Sequence, residues 1–206
     1  MNSTSDRVSF FNSHSASWDG LYSPEELELA RVLVERCHFG TDETLLEAGS
    51  GTGVITAILA QVITGGVIKS IDNSPEMIRK AGQKNFPGRV ETIVAPVQDV
   101  PFPDGFFTSI LCFNSFPHFH PWPAAIKELK RTLSPGGRLF IVHSLSRESL
   151  NRMHREIGGP VEQDALPAPA LLEAMFKDEG LWAAEIEDGP GFFFMKFIKP
   201  AGDDEG

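Results

Sequence analysis

Cysteine is scarce in this 206-residue chain, and long apolar runs are missing. The two cysteines, Cys37 and Cys112, lie in apolar stretches, which predicts buried reduced thiols and leaves no disulfide framework. No apolar run approaches the about 18 residues that a membrane-spanning helix needs, and no signal-peptide pattern opens the sequence. These absences predict a soluble cytoplasmic protein without a membrane span.

Positive charge is also in short supply. The chain has 18 Lys and Arg residues against 28 Asp and Glu residues, a formal net charge of −10. Proteins that bind nucleic acid need a basic surface, so this balance disfavours nucleic-acid substrates. Small neutral or cationic substrates fit better, and the length suits one α/β domain with a full core.

The clearest motif is a short apolar strand that breaks into glycines. Residues 45–53 read Leu-Leu-Glu-Ala-Gly-Ser-Gly-Thr-Gly, and an apolar helical period begins at Val54. Such a turn lets the backbone pass close to a ligand where a Cβ atom would collide. A dinucleotide-binding fingerprint needs Gly or Ala at its sixth position. Counted from Gly49 the sixth residue is Val54, and counted from Gly51 it is Thr56, so neither starting point fits. No lysine follows in the position that a P-loop requires.

The complete pattern, Glu47-x-Gly49-x-Gly51-x-Gly53, resembles motif I of the class I S-adenosylmethionine (SAM) methyltransferases. Four further features resemble the same family in order and spacing. The resemblance covers residues 8–200 and identifies the chain as a small-molecule methyltransferase, similar to the type 11 and UbiE-like members. The four features are Asp72 after the second predicted strand, Asp99 after the third, the Ser-Pro-Gly-Gly turn at 134–137, and a C-terminal hairpin.

The resemblance implies SAM as the cofactor and assigns residues to it. Asp72 suits the ribose, because its two carboxylate oxygens can accept hydrogen bonds from both hydroxyl groups. By the family pattern, Asp99 and the adjoining Val100 would contact the adenine. The full set of cofactor contacts implied is Glu47, Gly49, Ser50, Gly51, Gly53, Asp72, Asn73, Met77, Asp99, Val100 and Phe113.

The resemblance also implies a Rossmann-like α/β fold. Its seven-stranded sheet would be doubly wound between two layers of helices, mostly parallel with an antiparallel last strand. One departure is Thr108, which stands where the family has an aspartate before strand 4. Apolar runs and turn residues predict strands from residue 45 to the glycine turn and at 67–71, 90–94, 108–113, 138–142, 182–187 and 192–198, with helices at 23–40, 54–63, 74–85, 123–132, 146–154 and 171–179.

Aromatic side chains crowd the segment before the first core strand. Phe10, Phe11 and Trp18 are too apolar to stand in water without a partner. The segment either covers an edge of the sheet or closes over SAM, as N-terminal segments of the family do. The predicted organisation is a lid segment at 1–22, a single SAM-binding domain at 23–200 with a substrate insert at about 144–167, and a frayed tail at 201–206.

Four of the six histidines fall in or beside the loop after strand 4 and the insert. An imidazole there could remove a proton from an acceptor near neutral pH, two or three could bind zinc, cobalt or iron, or the rings could have no role. The catalytic candidates are His118, His143 and His154. The candidates for contact with the acceptor are Phe11, Trp18, Asn114, His118, His120, Trp122 and His143.

The function predicted is methyl transfer from SAM to a small-molecule acceptor, by a monomer or homodimer. A version with a histidine-bound divalent metal or a metal-bound acceptor stays open. A non-catalytic SAM-binding regulatory protein is the second class, and a pocket plugged by Trp18 or Trp122 would favour it. An NAD(P) oxidoreductase is the third class, and the glycine spacing argues against it. The sequence does not name the acceptor atom.

Overall fold

A computed structural model describes residues 4–202, so the first residues of the predicted lid and residues 203–206 of the predicted tail lie outside it. The described chain forms one seven-stranded sheet in the order β3-β2-β1-β4-β5-β7-β6. Strand β7 is antiparallel to both of its neighbours, and the other pairs are parallel, which confirms the expected fold class. The strands are β1 Thr44–Ala48, β2 Val67–Asp72, β3 Val90–Val94, β4 Phe107–Phe113, β5 Leu133–His143, β6 Trp182–Asp188 and β7 Phe193–Ile198.

Helices lie on both faces of the sheet. Two separate apolar cores, one on each face, are built by alternate residues of the same strands. Leu139 and Ile141 of β5 belong to one core, whereas Phe140 and Val142 belong to the other. The helices are α1 Thr4–His14, α2 Pro24–Arg36, α3 Val54–Val62, α4 Pro75–Ala81, α5 Trp122–Thr132, α6 Arg147–Ile157 and α7 Pro169–Asp178, with short 3-10 turns at Trp18–Leu21, Phe116–His118 and Gly159–Val161.

Serine side chains start three of these helices where the sequence predicts. Ser23 forms a capping box with Glu26, and the hydroxyls of Ser74 and Ser146 accept from backbone amides in the first turns of α4 and α6. Helix α4 ends at Ala81, earlier than the predicted 85.

Strand β5 begins earlier than the sequence predicts. It starts at Leu133, which pairs with Phe107 of β4, so the strand includes the Ser-Pro-Gly-Gly turn. The turn bonds to the end of β7, because the Gly136 amide donates to the Lys199 carbonyl and the Lys199 amide donates to the Gly137 carbonyl. These two hydrogen bonds to Lys199, directly after β7, make the turn an extension of the strand.

The parallel strands β1, β2, β4 and β5 all end at one edge of the sheet. Asp72 is the last residue of β2, and the glycine turn, Asn114 and Ser144 follow β1, β4 and β5 directly. In doubly wound folds ligands bind at this edge, and the helices α1 and α6 cover it here. The fold thus gathers the predicted site residues from widely separated parts of the sequence.

Candidate active site

A cavity of about 450 Å³ lies at the carboxyl edge of the sheet. The glycine turn together with Asp72 forms one part of its wall, and the loop after β4 and helix α6 form another part. Helix α1 and the turn at Trp18–Leu21 close the third side. Most of the predicted cofactor residues and most of the predicted acceptor residues therefore line one continuous space.

The glycine turn has the backbone geometry of a ligand cradle. Gly49, Gly51 and Gly53 have φ angles of 75°, 54° and 82°, in the left-handed region that favours glycine. A Cβ atom on Gly49 would lie 2.5 Å from the Cβ of Ser115, whereas one on Gly51 would meet only the Trp18 ring, at 3.5 Å. Gly51 therefore borders open space, where a Cβ would occupy ligand volume. The buried Ser50 hydroxyl lines the cavity and has no hydrogen-bond partner among the described residues.

Asp72 ties the second strand to the glycine turn. Its Oδ2 accepts from the Gly51 amide at 2.9 Å and its Oδ1 accepts from the Ser74 amide at 2.8 Å. Burial raises the pKa of this carboxyl group, and the two backbone hydrogen bonds oppose that rise. Because each oxygen has further lone pairs, the carboxylate can also accept from ligand hydroxyls at the cavity wall.

Glu47 lies at the base of the same turn, 2 % exposed. Its Oε2 accepts from the Thr56 hydroxyl at 2.5 Å and from the Ser70 hydroxyl at 2.7 Å. Burial raises the pKa of Glu47 to about 7, although both hydroxyl bonds act in the opposite direction. The side chain borders the cavity, where its ionised form suits a cationic ligand group.

The remaining predicted cofactor residues divide into two groups. Gly53 packs against Phe86 and Ala81 instead of lining the cavity, Asp99 is exposed and Val100 lies in the core. Val97 and Gln98 line the cavity where the sequence suggests Asp99 and Val100. The chain after β3 is irregular, so no periodicity tells which of four consecutive side chains faces inward. The predicted residues that do line the cavity are Glu47, Gly49, Ser50, Gly51, Asp72, Asn73, Met77 and Phe113.

The N-terminal segment lies over this cavity. Phe11 and Trp18 both line it, with their ring centroids 5.7 Å apart. The Asn12 side-chain carbonyl accepts from the Ser74 hydroxyl at 2.7 Å and from the Glu76 amide at 3.3 Å. Helix α1 is therefore fastened to the start of α4, directly beside Asp72.

The loop after β4 is locked to the end of β5. Asn114, with φ of 51°, donates from Nδ2 to the Ser144 hydroxyl at 3.0 Å and accepts from the Ser144 amide at 2.9 Å. Both residues line the cavity. Trp122 does not line it, because its ring stacks on Phe116 with the planes 15° apart.

Three of the four candidate histidines line the cavity, and His143 does not. His118 and His154 lie with ring centroids 5.0 Å apart, and His120 is nearby. His143 is fully buried, and neither ring nitrogen has a hydrogen-bond partner among the described residues. It follows Leu139 and Ile141 on alternate positions of β5, so it faces the core beside Phe193. Burial lowers its pKa to about 3.

Two charged residues that the sequence does not single out meet these histidines. Asp164 of the insert is fully buried, and its carboxylate contacts both Arg7 of helix α1 and His118. His120 Nε2 lies 3.8 Å from the same carboxylate. Arg7 and Asp164 are 157 residues apart, so no local pattern indicates their pairing.

Comparison with known proteins identifies the central part of the chain. Residues 46–141 match the family model described as a methyltransferase domain. Over 117 residues the chain is 32 % identical to the ubiquinone/menaquinone biosynthesis C-methyltransferase UbiE of Geotalea daltonii. The aligned region covers 54 % of this chain and 50 % of that protein. The chain therefore spans about half the length of this relative. The demethylmenaquinone methyltransferase of Thermus thermophilus is 28 % identical over 162 residues, 66 % of this chain and 73 % of that protein.

Solved structures share the whole fold. The crystal structure of a SAM-dependent methyltransferase from Aquifex aeolicus superposes with a TM-score of 0.71, covering 90 % of this chain and 98 % of that chain. The sequence identity is 22 %, so this similarity concerns the fold alone. Together with the matching domain, it confirms the resemblance to class I SAM-dependent methyltransferases that the glycine turn indicates.

Proposed function

We propose that the chain transfers a methyl group from SAM to a small-molecule acceptor, using the region at residues 46–141 that matches the methyltransferase domain. The observation that carries the proposal is that the glycine turn and Asp72 line the same cavity as His118 and His154. A cofactor held on the first wall would present its reactive end to an acceptor held on the second. The named relatives are methyltransferases of quinone biosynthesis, and the acceptor of this chain is left to experiment.

The first wall suits the parts of SAM. Gly51 has no side chain and so leaves room for a ligand beside the turn. The Ser50 hydroxyl, which has no hydrogen-bond partner among the described residues, supplies a polar group there. Asp72 would accept from the ribose hydroxyls, and ionised Glu47 would attract the ammonium group of the methionine part. Asn73 and Met77 would flank the adenine. Gln98 donates from Nε2 to the carbonyls of Phe119 and His120, so its amide oxygen is the atom suited to the adenine amino group.

Bound SAM supplies a methyl group that its sulfonium has already activated. The protein must then orient the acceptor, exclude water and, for an O–H or N–H acceptor, remove a proton. Phe10, Phe11 and Leu150 provide an apolar wall that excludes water. His118 and His154 are the imidazoles positioned to receive a proton in the cavity. His143 is set back in the core. His118 is the stronger candidate for the base, because its Nδ1 is bonded to a carboxylate, whereas His154 Nδ1 is bonded to a backbone carbonyl.

The hypothesis of a histidine-bound metal ion has no set of metal ligands to support it in the described part of the chain. Within residues 4–202 no group of three His, Cys, Asp or Glu side chains is arranged to hold a metal ion. His118 Nδ1 and His154 Nδ1 are instead bonded to the carboxylate and the main-chain carbonyl of Asp164. The proton-accepting role therefore has the better structural support.

The enzyme interpretation is also favoured over a SAM-binding protein without turnover. Trp122 lies outside the cavity wall, and Trp18 lines it beside Gly51 without filling it. Space for an acceptor thus adjoins the cofactor wall. A small-molecule substrate and a monomeric or homodimeric protein of the cytoplasm remain our proposals. In the described residues no helix is both long and apolar enough to cross a membrane.

A screen of candidate metabolites with methyl-labelled SAM tests the function. We expect label to reach at least one small acceptor, with S-adenosylhomocysteine formed in equal amount. His118→Gln should lower the turnover about 10²-fold or more if the acceptor loses a proton, while SAM affinity stays unchanged. SAM binding without label transfer to any acceptor across a broad panel would favour the regulatory alternative.

A further inference from the structure

A buried carboxylate joins three segments of the chain at the cavity. Asp164 belongs to the insert, Arg7 to helix α1 and His118 to the loop after β4. Arg7 Nε lies 2.9 Å from both carboxylate oxygens, and Arg7 Nη2 lies 2.5 Å from Oδ1. His118 Nδ1 lies 2.8 Å from Oδ2. Asp164 is 0 % exposed and Arg7 is 8 % exposed, so these contacts form away from bulk water.

The carboxylate determines which nitrogen of His118 carries the proton. Burial raises the pKa of Asp164, but the hydrogen bonds from His118 and Arg7 outweigh it and lower that pKa overall. An ionised carboxylate can only accept hydrogen bonds, so His118 Nδ1 must be the donor. In a neutral ring the other nitrogen, Nε2, then has a free lone pair. Because Nδ1 is engaged by Asp164, Nε2 is the nitrogen left for the cavity that His118 lines.

The same residue also fixes the neighbouring imidazole, but by its backbone. His154 Nδ1 lies 2.5 Å from the main-chain oxygen of Asp164. A carbonyl oxygen only accepts, so His154 is also protonated at Nδ1. A change in the Asp164 side chain therefore affects the bond to His118 and leaves the bond to His154 in place.

We propose that Asp164 and Arg7 are positioning residues that hold His118 with Nε2 as the proton-accepting atom of the site; this inference rests on the proposed methyl-transfer function. Arg7 supplies a positive charge that balances the buried Asp164 carboxylate. Since Arg7 lies on helix α1, the N-terminal segment takes part in assembling the base as well as covering the cavity.

Nitrogen-15 labelling of the histidines in the full chain reads the tautomer directly, with neither SAM nor acceptor present. At pH 8 we expect His118 to show a protonated Nδ1 and an unprotonated Nε2. Spectra of His118→Gln and His154→Gln assign the signals. A wild-type His118 protonated at Nε2 overturns the proposal without any further variant.

Asp164→Asn gives the sharper test. Its single amide oxygen should turn to the Arg7 guanidinium, so that its NH₂ group faces His118 Nδ1. That nitrogen must then accept, and we expect the His118 proton to move to Nε2. The double variant R7M/D164N frees the amide oxygen for His118 and should restore the proton to Nδ1. His154 is the internal control, since its partner is a backbone oxygen in every variant.

Kinetics separate this role from simple packing. With an acceptor in hand, Asp164→Asn should lower kcat about 10²-fold while the Kd for SAM stays within two-fold, and R7M/D164N should recover part of the loss. A His118 signal unchanged by Asp164→Asn, or a kcat unchanged after the proton has moved, would overturn the proposal. Wild-type protein that binds no SAM would defeat the proposed function and leave the tautomer result standing.

Discussion

His143 shows how one buried side chain can make the fold sensitive to acid. Neither ring nitrogen has a hydrogen-bond partner among the described residues, and burial lowers the pKa of His143 to about 3. In the unfolded chain the ring titrates near its ordinary pKa of about 6.5. The unfolded state therefore binds more protons below this pH, and the stability of the folded state falls as the pH falls from 6.5 towards 3.

His143→Phe should remove this acid sensitivity, because phenylalanine keeps an aromatic ring beside Phe193 and does not titrate. Between pH 7.5 and pH 5 we expect the wild type to lose about 2 kcal/mol more unfolding free energy than the variant. Urea unfolding at the two pH values measures the difference. Parallel changes in the two proteins would show that His143 has access to a proton-accepting partner or to water in the fold.

Some residues of the candidate site can be predicted from the sequence, and others cannot, for a physical reason. The glycine turn and Asp72 are local patterns of strand and turn, so spacing alone finds them. The alternation of β5 could have shown that His143 shares the core face of Leu139 and Ile141. Asp164 has no such local signal, because its partner Arg7 comes from the other end of the chain.

At the scale of elements, helix α1 is the least predictable part of the site. Its aromatic side chains indicate only that it must pack on something. The structure fastens it through Asn12 to Ser74 and Glu76, and through Arg7 to Asp164. In addition, Asp19 bonds to the Thr52 hydroxyl and pairs with Lys84 at 2.8 Å. Because Arg7 and Thr52 line the cavity and Ser74 is bonded to Asp72, these contacts support a lid in preference to a cover for a sheet edge.

Hydrogen exchange tests the lid. We expect amides of residues 7–19 to exchange more slowly when S-adenosylhomocysteine is bound, because a ligand beneath α1 favours the closed helix. Asn12→Ala removes two side-chain hydrogen bonds and should speed exchange in this segment about 10-fold in the free protein. Helix α2, Pro24–Arg36, serves as the control segment. Equal protection of 7–19 with and without ligand would leave only the edge-covering interpretation.

The strands show which parts of the fold can be predicted from the sequence pattern and which cannot. Apolar runs predict all seven strands, and their parallel order follows from the family resemblance. The limits of β5 and of α4 differ from the prediction, since hydrogen bonds from β7 extend the strand and the chain after Ala81 turns away. The sequence does not predict that Gln98 lines the cavity, because the chain after β3 is irregular and only its three-dimensional path decides which side chain enters the cavity.

At the scale of the whole molecule, the fold brings distant segments of the chain together at one site. The ends of four parallel strands supply the cofactor wall and part of the acceptor wall, while α1 and the insert close the space. Methyl transfer by this chain requires that the wall formed by the glycine turn binds SAM.

Titration calorimetry with SAM, S-adenosylhomocysteine and NAD tests that claim most directly. We expect one molecule of SAM or of S-adenosylhomocysteine to bind per chain, and NAD not to bind. Asp72→Ala should weaken SAM binding by about 1–3 kcal/mol, the loss expected for a charge-assisted hydrogen bond. Asp99→Ala is the matched control, because its carboxylate is exposed outside the cavity wall, and it should keep wild-type affinity. Absence of SAM binding, or an affinity that Asp72→Ala leaves unchanged, would contradict the account.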